Sequence, residues 1–460
     1  MTWQDDYASK LKTAEEAVSL IPAHARVAMP DGAGEPRVLI ETVCKNYEQF
    51  EDVRFFQASS TNGLDMFQPE MAGHIRYETF IGSPGMKARY WDGLLNGRAD
   101  VVPTYFSTVE RDIRGGHYPI NVAMLSLSRP DKHGWCSFGL SVDYQRTAAN
   151  AATLVIAQVN DKMPRTLGEC FIHVSELDAI VEVSDPLAVS PMPPIGPAEE
   201  AIGEFIASMV NDGDTIQAGI GKIPNAVMKA LMGKKDLGVH SELFTTSMMD
   251  LAEAGVLTGR RKTLHPNVSV ATFAQGTSEL YDWIDDNPSV QFFPVEYVNN
   301  PYVIAKNDNL VSVNSCVEVD LFGQVAAETI GYKQLSGAGG QVDFVRGATM
   351  SRGGKSILAM TSTAGHGKIS RVKLFLDAGT PVTTPRDEVQ YIVTEFGIAD
   401  LRGKSNNDRA RALIKIAHPD FRDQLRDDYH RTFGVDPLVP RHRPWTSCNP
   451  EPRYFFGRFM

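Results

Sequence analysis

The stretch AIGEFIASMVNDGDTIQAGIGKIPNAVMKAL, residues 201–231, contains a complete α/β unit. It gives an amphipathic helix, a strand, a Gly-x-Gly turn, a proline and a second helix. The stretch AEEAVSLIPAHARVAMPDGAGEPRVLIETV, residues 14–43, gives the same series. The two turns match at an offset of 187 residues, with Gly32 and Gly34 against Gly219 and Gly221.

A second pair of segments supports an internal repeat. SRPDKHGWCSFG contains Asp131 and Gly134, and VEVDLFGQVAAE contains Asp320 and Gly323, an offset of 189 for both residues. Two matches at nearly one offset indicate a duplicated domain. The alternative is that α/β proteins reuse glycine turns after strands without any duplication.

Short apolar strands alternate with helical stretches along the whole chain. Examples are VRFFQAS, NVAMLSLS, ATLVIAQV, SILAMTS and YIVTEFG. This alternation predicts largely parallel sheets covered by helices on both faces, one sheet in each half. The expected fold class is therefore α/β, with two tandem open α/β/α domains of similar topology.

The segment PLAVSPMPPIGP, residues 186–197, has five prolines in twelve residues and cannot form a regular helix or a central strand. It predicts a linker over 186–198. The expected units are then an N-terminal α/β domain at 1–185, a C-terminal α/β domain at 199–436 and a tail at 437–460.

Composition excludes several classes of protein. The chain has 460 residues, is 43% apolar and carries a net charge of −11, which argues against general nucleic-acid binding. No apolar run approaches the roughly 20 residues of a membrane span, and the first 22 residues lack signal-peptide features. Five scattered cysteines without CxxC spacing predict a reducing cytoplasm and no metal site.

An acid at a strand end is the first candidate for chemistry. Glu242 lies in LGVHSELFTTSMMDLAEAG, residues 237–255, where a buried strand gives way to a turn. Ligands of open α/β sheets bind beyond the carboxyl ends of the strands. The corresponding place in the first half is assigned to Phe56, so only the second half carries the acid. Glu395, at the end of the strand in VQYIVTEFGIADLRGKS, is a rival. His240 could orient Glu242, although a histidine at the edge of the core with one backbone hydrogen bond is the commoner outcome.

Two glycine-rich stretches are candidates for binding an anion. In QAGIGKIPNAV, residues 217–227, backbone amides and a helix N-terminus favour an anion, although a purely structural turn is equally compatible. The stretch LSGAGGQVDFVRGATMSRGGKS, residues 335–356, leads into a region without acids. From residue 344 to 376 there are six basic residues that could hold phosphates, unless the loop is merely solvated: Arg346, Arg352, Lys355, Lys368, Arg371 and Lys373.

Five motifs in order, GIGKIPNAV, LGVHSE, VEVDLFGQV, SGAGGQVDFVRGA and VTEFGIADLRGKS, resemble the acetyl-CoA hydrolase/transferase family, and most closely its 4-hydroxybutyrate CoA-transferase branch. The resemblance runs from TAEEAV to RARALIKIAHPDF. It implies that Glu242 attacks the acyl-CoA thioester and that Glu395 plays a supporting part. The implied CoA contacts are Gln217, Ala218, Gly219, Ile220, Gly221, Val317, Gly340 and Lys368.

The family mechanism passes through a glutamyl-CoA thioester, with CoA as a substrate and no permanently bound cofactor. Backbone amides of Gly339 and Gly340 are the candidate oxyanion donors. The expected partners are a small acyl-CoA, a carboxylate and further copies of the chain in a dimer or tetramer. An acetyl-CoA hydrolase and a non-catalytic CoA or sugar-phosphate sensor remain alternatives. Acetate, butyrate, 4-hydroxybutyrate, succinate and itaconate remain open as the acid.

Overall fold

The computed structural model describes residues 2–60, 66, 68–82, 94 and 96–439. Its N-terminal sheet has seven strands, and every neighbouring pair is parallel. In spatial order the strands are Ala179–Val183, Leu154–Asn160, Val122–Leu127, Arg26–Ala28, Val53–Gln57, Ile75–Thr79 and Ala99–Val101.

Side chains of this sheet alternate between two apolar cores, because successive residues of a strand point to opposite faces. Val27 and Phe55 belong to one core, whereas Ala28 and Phe56 belong to the other. The N-terminal half is therefore a sheet buried on both faces. Its described helices are Trp3–Ser9, Ala14–Val18, Arg37–Lys45, Val109–Arg114 and Gln145–Ala151, with short 3₁₀ turns at Tyr47–Gln49, Pro69–Met71, Phe106–Thr108 and Val174–Glu176.

The C-terminal sheet has six strands, and only its last pair is antiparallel. In spatial order the strands are Gly238–Val239, Thr215–Ala218, Leu310–Ser315, Lys355–Ala359, Tyr391–Thr394 and Gly397–Asp400. A parallel bridge between His240 and Val270 continues it into a three-stranded sheet. That sheet contains Ser269–Ala271, Val290–Phe292 and Leu167–Gly168, the last contributed by the N-terminal half.

Helices cover the C-terminal sheet, and short strand pairs decorate its edges. The helices are Pro197–Met209, Lys222–Ala230, Thr246–Glu253, Ser278–Ile284, Val295–Val298, Pro301–Ile304, Gln341–Met350, Asn406–Ile416 and Pro419–Phe433, with a 3₁₀ turn at Leu231–Gly233. Within the described residues, the short strands are Trp135–Ser137 with Phe171–His173, Leu243–Thr245 with Phe273–Gln275, Val325–Ala326 with Glu318–Asp320 and Val372–Lys373, Thr329–Ile330 with Lys333–Gln334, and Thr363–Ala364 with Ile369–Ser370.

Both halves follow one topology. When the bridged strands are included, the first strand of each half lies in the middle, with the second, third and fourth strands on one side and the later strands on the other. The predicted fold class, two open α/β/α domains of similar topology with largely parallel sheets, is confirmed. Within the described residues, no helix is long and apolar enough to cross a membrane.

The turns at Asp131 and Asp320 contain the same hydrogen bonds. Each aspartate Oδ1 accepts from the backbone amides two and four residues later. Each glycine three residues on, Gly134 or Gly323, donates its amide to the aspartate carbonyl, at 3.0 and 2.9 Å, and has a positive φ of 86° or 90°. Such detail supports duplication over independent reuse of glycine turns.

The segment between the halves has no helix or strand from residue 184 to 196, and the next helix begins at Pro197. It packs on the C-terminal half, since Ser190 donates its amide to the Gly276 carbonyl at 2.8 Å and Tyr281 donates its hydroxyl to the Ala188 carbonyl at 2.8 Å. The domain boundaries at 185 and 199 stay a prediction. Most of the predicted tail, residues 440–460, lies outside the described residues.

Candidate active site

A cavity of about 620 Å³ lies between the two halves, at the ends of their central strands. Three parts of the chain form its walls. The N-terminal half contributes Asp31, Ser59, Ser60, Ile81 and Gly82, and the linker contributes Ala188, Val189 and Ser190. The C-terminal half contributes Gln217, Ala218, Gly219, Ile220, Glu242, Leu243, Phe273, Gln275, Asn314, Ser336, Gly340, Gln341 and Phe344.

Backbone hydrogen bonds fix Glu242 at the cavity wall. It lies between the strands Gly238–Val239 and Leu243–Thr245, whose residues are all buried. Its carbonyl accepts from the amides of Thr272 at 3.0 Å and Phe273 at 3.2 Å. The backbone is thus anchored to the neighbouring strand, while the half-buried side chain remains open to the cavity.

The Glu242 carboxylate is held from the opposite side. Asn299 donates from Nδ2 to Oε2 at 2.6 Å. A Cβ on Gly340 would lie 1.9 Å from the same oxygen and 2.3 Å from Asn299 Nδ2. Position 340 must therefore be glycine for reasons of space, since its φ of −93° would suit other residues.

Burial changes the chemistry of this carboxyl group. The pKa of Glu242 is raised to about 8, chiefly because the group is removed from water, and the charges of Asp343 and Asp31 act in the same direction. The hydrogen bond from Asn299 and the Gly340 backbone amide oppose the shift. A carboxylate that ionises near neutral pH and is partly withdrawn from solvent is a more basic and less solvated nucleophile than an exposed one.

Asp343 joins the halves beside Glu242. It stands in the first turn of the helix Gln341–Met350 and accepts from Ser107, from the backbone amide at 3.1 Å and from the hydroxyl at 2.7 Å. Burial raises the pKa of Asp343 to about 7, against these two hydrogen bonds. Ser107 of the N-terminal half therefore fixes the position of Asp343, whose charge raises the pKa of Glu242.

The glycine loop before this helix is fitted against the N-terminal half. Phe106 donates its amide to the Gly339 carbonyl at 3.1 Å. A Cβ on Gly337 would lie 1.7 Å from the carbonyl oxygen of Phe80, and Gly339 has a φ of +53°. The loop can approach so closely only because it has glycine at these positions.

The predicted CoA turn lines the same cavity from Gln217 to Ile220. Gln217 is tied down, since its Oε1 accepts from Ser312 Oγ at 2.7 Å and from Asn314 Nδ2 at 3.2 Å. Gly221, with a φ of +126°, lies just beyond the turn at the start of the helix Lys222–Ala230. The structure thus brings this turn, Glu242 and Gly340 to one cavity.

Four of the residues predicted to bind CoA are not among those that line this cavity. Gly221 and Gly339 directly adjoin lining residues in the chain, whereas Val317 and Lys368 do not. Lys368 lines a separate cavity of about 450 Å³, beside Phe375 and Phe421. Val317 is not among the residues that line the Glu242 cavity, and its amide donates to the Ala326 carbonyl at 2.8 Å. Their proposed contacts with CoA stay predictions.

Glu395 and His240, the other candidates near Glu242 in the sequence, have structural partners. Glu395 accepts from the Ser362 amide at 2.8 Å and hydroxyl at 2.6 Å. His240 bonds through Nε2 to the Val298 carbonyl at 2.8 Å, and burial lowers the pKa of its ring to about 3. His240 is thus a buried histidine with one backbone hydrogen bond, the commoner outcome expected for it, and the residue that holds the Glu242 carboxylate is Asn299.

The residue of the N-terminal half that corresponds to Glu242 is Ala58, and not Phe56 as predicted from the sequence. Strand pairing makes Val27 with Phe55 equivalent to Ile216 with Val239. Counting along the strands then sets Phe56 against His240 and Ala58 against Glu242. The sequence assignment of Phe56 was wrong by two residues, because the turns that lead into the two strands differ in length.

Sequence reasoning missed Asn299, Asp343, Ser107 and Asp31. Each is remote in sequence from Glu242 and reaches the site only through folding. The one available signal was Asp343, which follows the glycine-rich loop that contains Gly339 and Gly340.

Family models match both halves of the chain. The family model for the acetyl-CoA hydrolase/transferase N-terminal domain matches residues 1–192, and that for its C-terminal domain matches residues 276–429. The chain belongs to the acetyl-CoA hydrolase/transferase family.

Individual relatives span the whole length. The 4-hydroxybutyrate coenzyme A transferase of Clostridium kluyveri is 49% identical, over 94% of this chain and 100% of its own. The crystal structure of a 4-hydroxybutyrate CoA-transferase from Porphyromonas gingivalis superposes with a TM-score of 0.81 at 39% identity, covering 94% of this chain and 100% of that one. An acetyl-CoA hydrolase of Candida albicans is 28% identical, over 95% of this chain and 92% of its own. The family prediction is confirmed.

Proposed function

We propose that the protein is a CoA-transferase that moves CoA between a short acyl-CoA and a small carboxylate through Glu242. The observation that carries this proposal is the Glu242 carboxylate in the interdomain cavity, held by Asn299 and approached by the Gly340 amide. The likeness to CoA-transferases at 39–49% identity supports the same reaction class.

The chemistry proceeds in two exchanges of acyl groups. A Glu242 oxygen bonds to the thioester carbon, the C–S bond breaks, and CoA leaves as the thiolate. The thiolate then attacks the glutamyl carbon of the anhydride, which releases the first acid and leaves a glutamyl-CoA thioester. An incoming carboxylate reverses both steps and restores Glu242. Covalent catalysis thus divides one hard transfer into easier ones.

The donors around Glu242 suit the second step. When the thiolate attacks the glutamyl carbon, negative charge develops on the glutamyl oxygen. Asn299 Nδ2 is already 2.6 Å from Oε2, and the Gly340 amide faces the same group. One preorganised donor of this kind typically lowers such a barrier by about 3–4 kcal/mol. Gly339 remains a second candidate donor for the oxyanion formed on the acyl group.

The turn from Gln217 to Gly221 is the proposed seat of the CoA thiol arm, because its backbone lies beside Glu242 in the cavity. The carboxylate acceptor then enters from the N-terminal wall. Itaconate, succinate, butyrate, acetate and 4-hydroxybutyrate all fit a cavity of about 620 Å³ by size alone.

Trapping the intermediate tests the proposal. Incubation with acetyl-CoA and no acceptor acid should leave a Glu242–CoA thioester, detected by intact mass, reduced by borohydride and mapped to residues 237–255. Glu242→Gln should form no adduct, whereas Glu395→Gln, a matched carboxylate outside the cavity, should form it normally. An adduct at Glu395, or transfer without any adduct, would contradict the assignment.

A hydrolase would behave differently in the same experiment. Water would clear the thioester, so acetyl-CoA would disappear at the same rate with or without acceptor acid. A sensor would bind CoA and form no adduct. The homo-oligomeric state and the cytoplasmic location stay predictions, and light scattering on the purified protein measures the first.

A further inference from the structure

Asn299, whose amide contacts the Glu242 carboxylate, follows directly after the short helix Val295–Val298. This helix has four residues, too few to be stable by itself, so its position depends on the groups that hold its two ends. At its start, Val295 donates its amide to the Asp143 carbonyl of the N-terminal half at 2.8 Å. The group that holds its other end decides where Asn299 lies.

His240 holds the end of the helix that adjoins Asn299. Its ring nitrogen Nε2 lies 2.8 Å from the Val298 carbonyl oxygen. A carbonyl oxygen only accepts, so Nε2 carries the proton and donates the hydrogen bond. This carbonyl belongs to the planar peptide group that joins Val298 to Asn299, so the hydrogen bond fixes the plane from which Asn299 extends. His240 is thus one peptide group away from the residue that contacts the carboxylate.

Packing alone does not account for a histidine at position 240. The residue is 0% exposed, and burial lowers the pKa of its ring to about 3, so the ring is neutral. Its Nδ1 has no hydrogen-bond partner among the residues that the structure describes. An unpaired buried polar atom costs roughly 1–3 kcal/mol, which an apolar ring of similar size would avoid. The hydrogen bond to Val298 is what a histidine adds at this place.

His240 itself does not contact the substrates. It is not among the described residues that line the cavity, and its protonated nitrogen already donates to Val298. Four other titratable groups act on its ring or on the Glu242 carboxylate: Lys262, His265, Asp343 and Asp31. A substitution at position 240 changes none of these four, so a shift in the ionisation of Glu242 would report on the position of Asn299.

We propose that His240 is a positioning residue, which holds the Val298 carbonyl and thereby aims the Asn299 amide at Glu242. The inference rests on the proposed function and adds a residue that acts through another one. The hydrogen bond from Asn299 favours the ionised carboxylate, so a displaced Asn299 raises the pKa of Glu242 further. The turn proposed for the CoA arm is not touched by the His240 ring, so binding of acyl-CoA is unaffected.

Apolar and amide substitutions of His240 test the proposal in a transferase assay with acetyl-CoA and butyrate. His240→Phe and His240→Leu remove the donor, so kcat should fall by about 10-fold while the KM for acetyl-CoA stays within about 2-fold. The rise of kcat/KM with pH should move to higher pH, as expected for Asn299→Ala. His240→Gln, whose amide nitrogen extends to about the place of Nε2, should recover most of kcat and the wild-type pH dependence.

A second histidine beside the same helix provides the matched control. His265 Nε2 lies 2.7 Å from the hydroxyl of Tyr297, so it contacts a side chain of the helix and not the peptide group before Asn299. His265→Asn removes this contact, and asparagine tolerates the φ of +51° at that position. The pH of the rise should be unchanged in this variant. A shift equal to that of His240→Phe would show that any disturbance of the helix suffices and would overturn the proposal.

The double variant His240→Phe with Asn299→Ala shows whether His240 acts through Asn299. If it does, kcat of the double variant should lie within about 2-fold of that of Asn299→Ala alone. Effects that multiply, a pH rise that stays in place in both apolar variants, or a loss in His240→Gln as large as in His240→Phe would each overturn the inference and keep the transferase. The midpoint of the pH rise does not depend on the amount of folded protein, so partial unfolding cannot imitate the expected shift. Full transfer by Glu242→Gln would overturn the proposed function itself, which tells the two failures apart.

Discussion

The two halves of the molecule present the same strand end to one cavity, but only one of them carries an acid. The carbonyl of Ala58 accepts from the amides of Ile81 at 3.1 Å and Gly82 at 3.2 Å. The carbonyl of Glu242 accepts from two successive amides of its neighbouring strand at 3.0 and 3.2 Å. The backbone arrangement was kept in both halves, while the side chain at this position is a methyl group in one and a carboxylate in the other.

The difference extends to the surroundings of that side chain. In the C-terminal half, Asn299 and Gly340 meet the carboxylate. The N-terminal half instead supplies support, since Phe106 and Ser107 hold the glycine loop and Asp343. Duplication thus produced two similar scaffolds, of which the C-terminal one carries the proposed nucleophile and the N-terminal one closes the cavity and holds Asp343 in place.

The largest expected effect comes from giving the strand end of the C-terminal half the alanine that the N-terminal half has at position 58. Glu242→Ala should lower transfer by roughly 10⁴-fold or more, because the covalent route needs the carboxylate. Adding Ala58→Glu should not restore it, since Ala58 lacks the counterparts of Asn299 and Gly340. Glu242→Asp should lose about 100-fold by withdrawing the oxygen about 1 Å. Rescue by Ala58→Glu in a coupled transferase assay would show that the halves are chemically equivalent.

Filling the space next to the acid should have the next largest effect. Gly340→Ala would set a Cβ 1.9 Å from Glu242 Oε2, so the carboxylate must move and kcat should fall by about 100-fold. Gly233→Ala is the matched control, because its Cβ would meet nothing within 4 Å and it lies outside the cavity. Steady-state kinetics on both variants measure the effect, and similar kcat values for the two would contradict it.

The pH dependence should report the partners of Glu242. Since the ionised form of Glu242 is the proposed nucleophile and its pKa is raised to about 8, kcat/KM for acyl-CoA should rise with pH through that region. Asp343→Asn removes a negative charge and should move the rise to lower pH. Asn299→Ala removes a hydrogen bond to the ionised form and should move it to higher pH. Glu395→Gln serves as the control and should leave the pH dependence unchanged. If Asp343→Asn and Asn299→Ala shifted the rise in the same direction, the assignment would be contradicted.

The smallest effect is expected at the repeated turns, where the halves remain alike. Asp131→Ala and Asp320→Ala each remove a side chain that accepts two backbone amides. The free energy of unfolding should fall by about 1–2 kcal/mol in each, with kcat unchanged. Asp320→Ala should cost more, because Asp320 is buried and accepts from Gln324 Nε2 at 2.6 Å, whereas the more exposed Asp131 accepts from Arg165 at the longer distance of 3.5 Å. Denaturant unfolding of both variants measures the difference, and a large loss of kcat in either would tie the turn to the site.

The sequence by itself determined the class of fold and indicated Glu242 as the candidate nucleophile. The alternation of strands and helices, the glycine turns and the spacing of Asp131 and Asp320 are local patterns, and local backbone chemistry reproduces them in the structure. The acid in LGVHSE stood out because a carboxylate at the end of a buried strand has no packing role.

Only the tertiary structure decided what surrounds that acid. Asn299 is 57 residues from Glu242 in the chain, and Ser107 is 236 residues from Asp343, so no local pattern could pair them. The register of two strands moved the counterpart of Glu242 from Phe56 to Ala58, and folding set Lys368 in another cavity. Contacts between side chains, and the pKa values that depend on burial, arise when distant strand ends meet, which the order of residues alone does not specify.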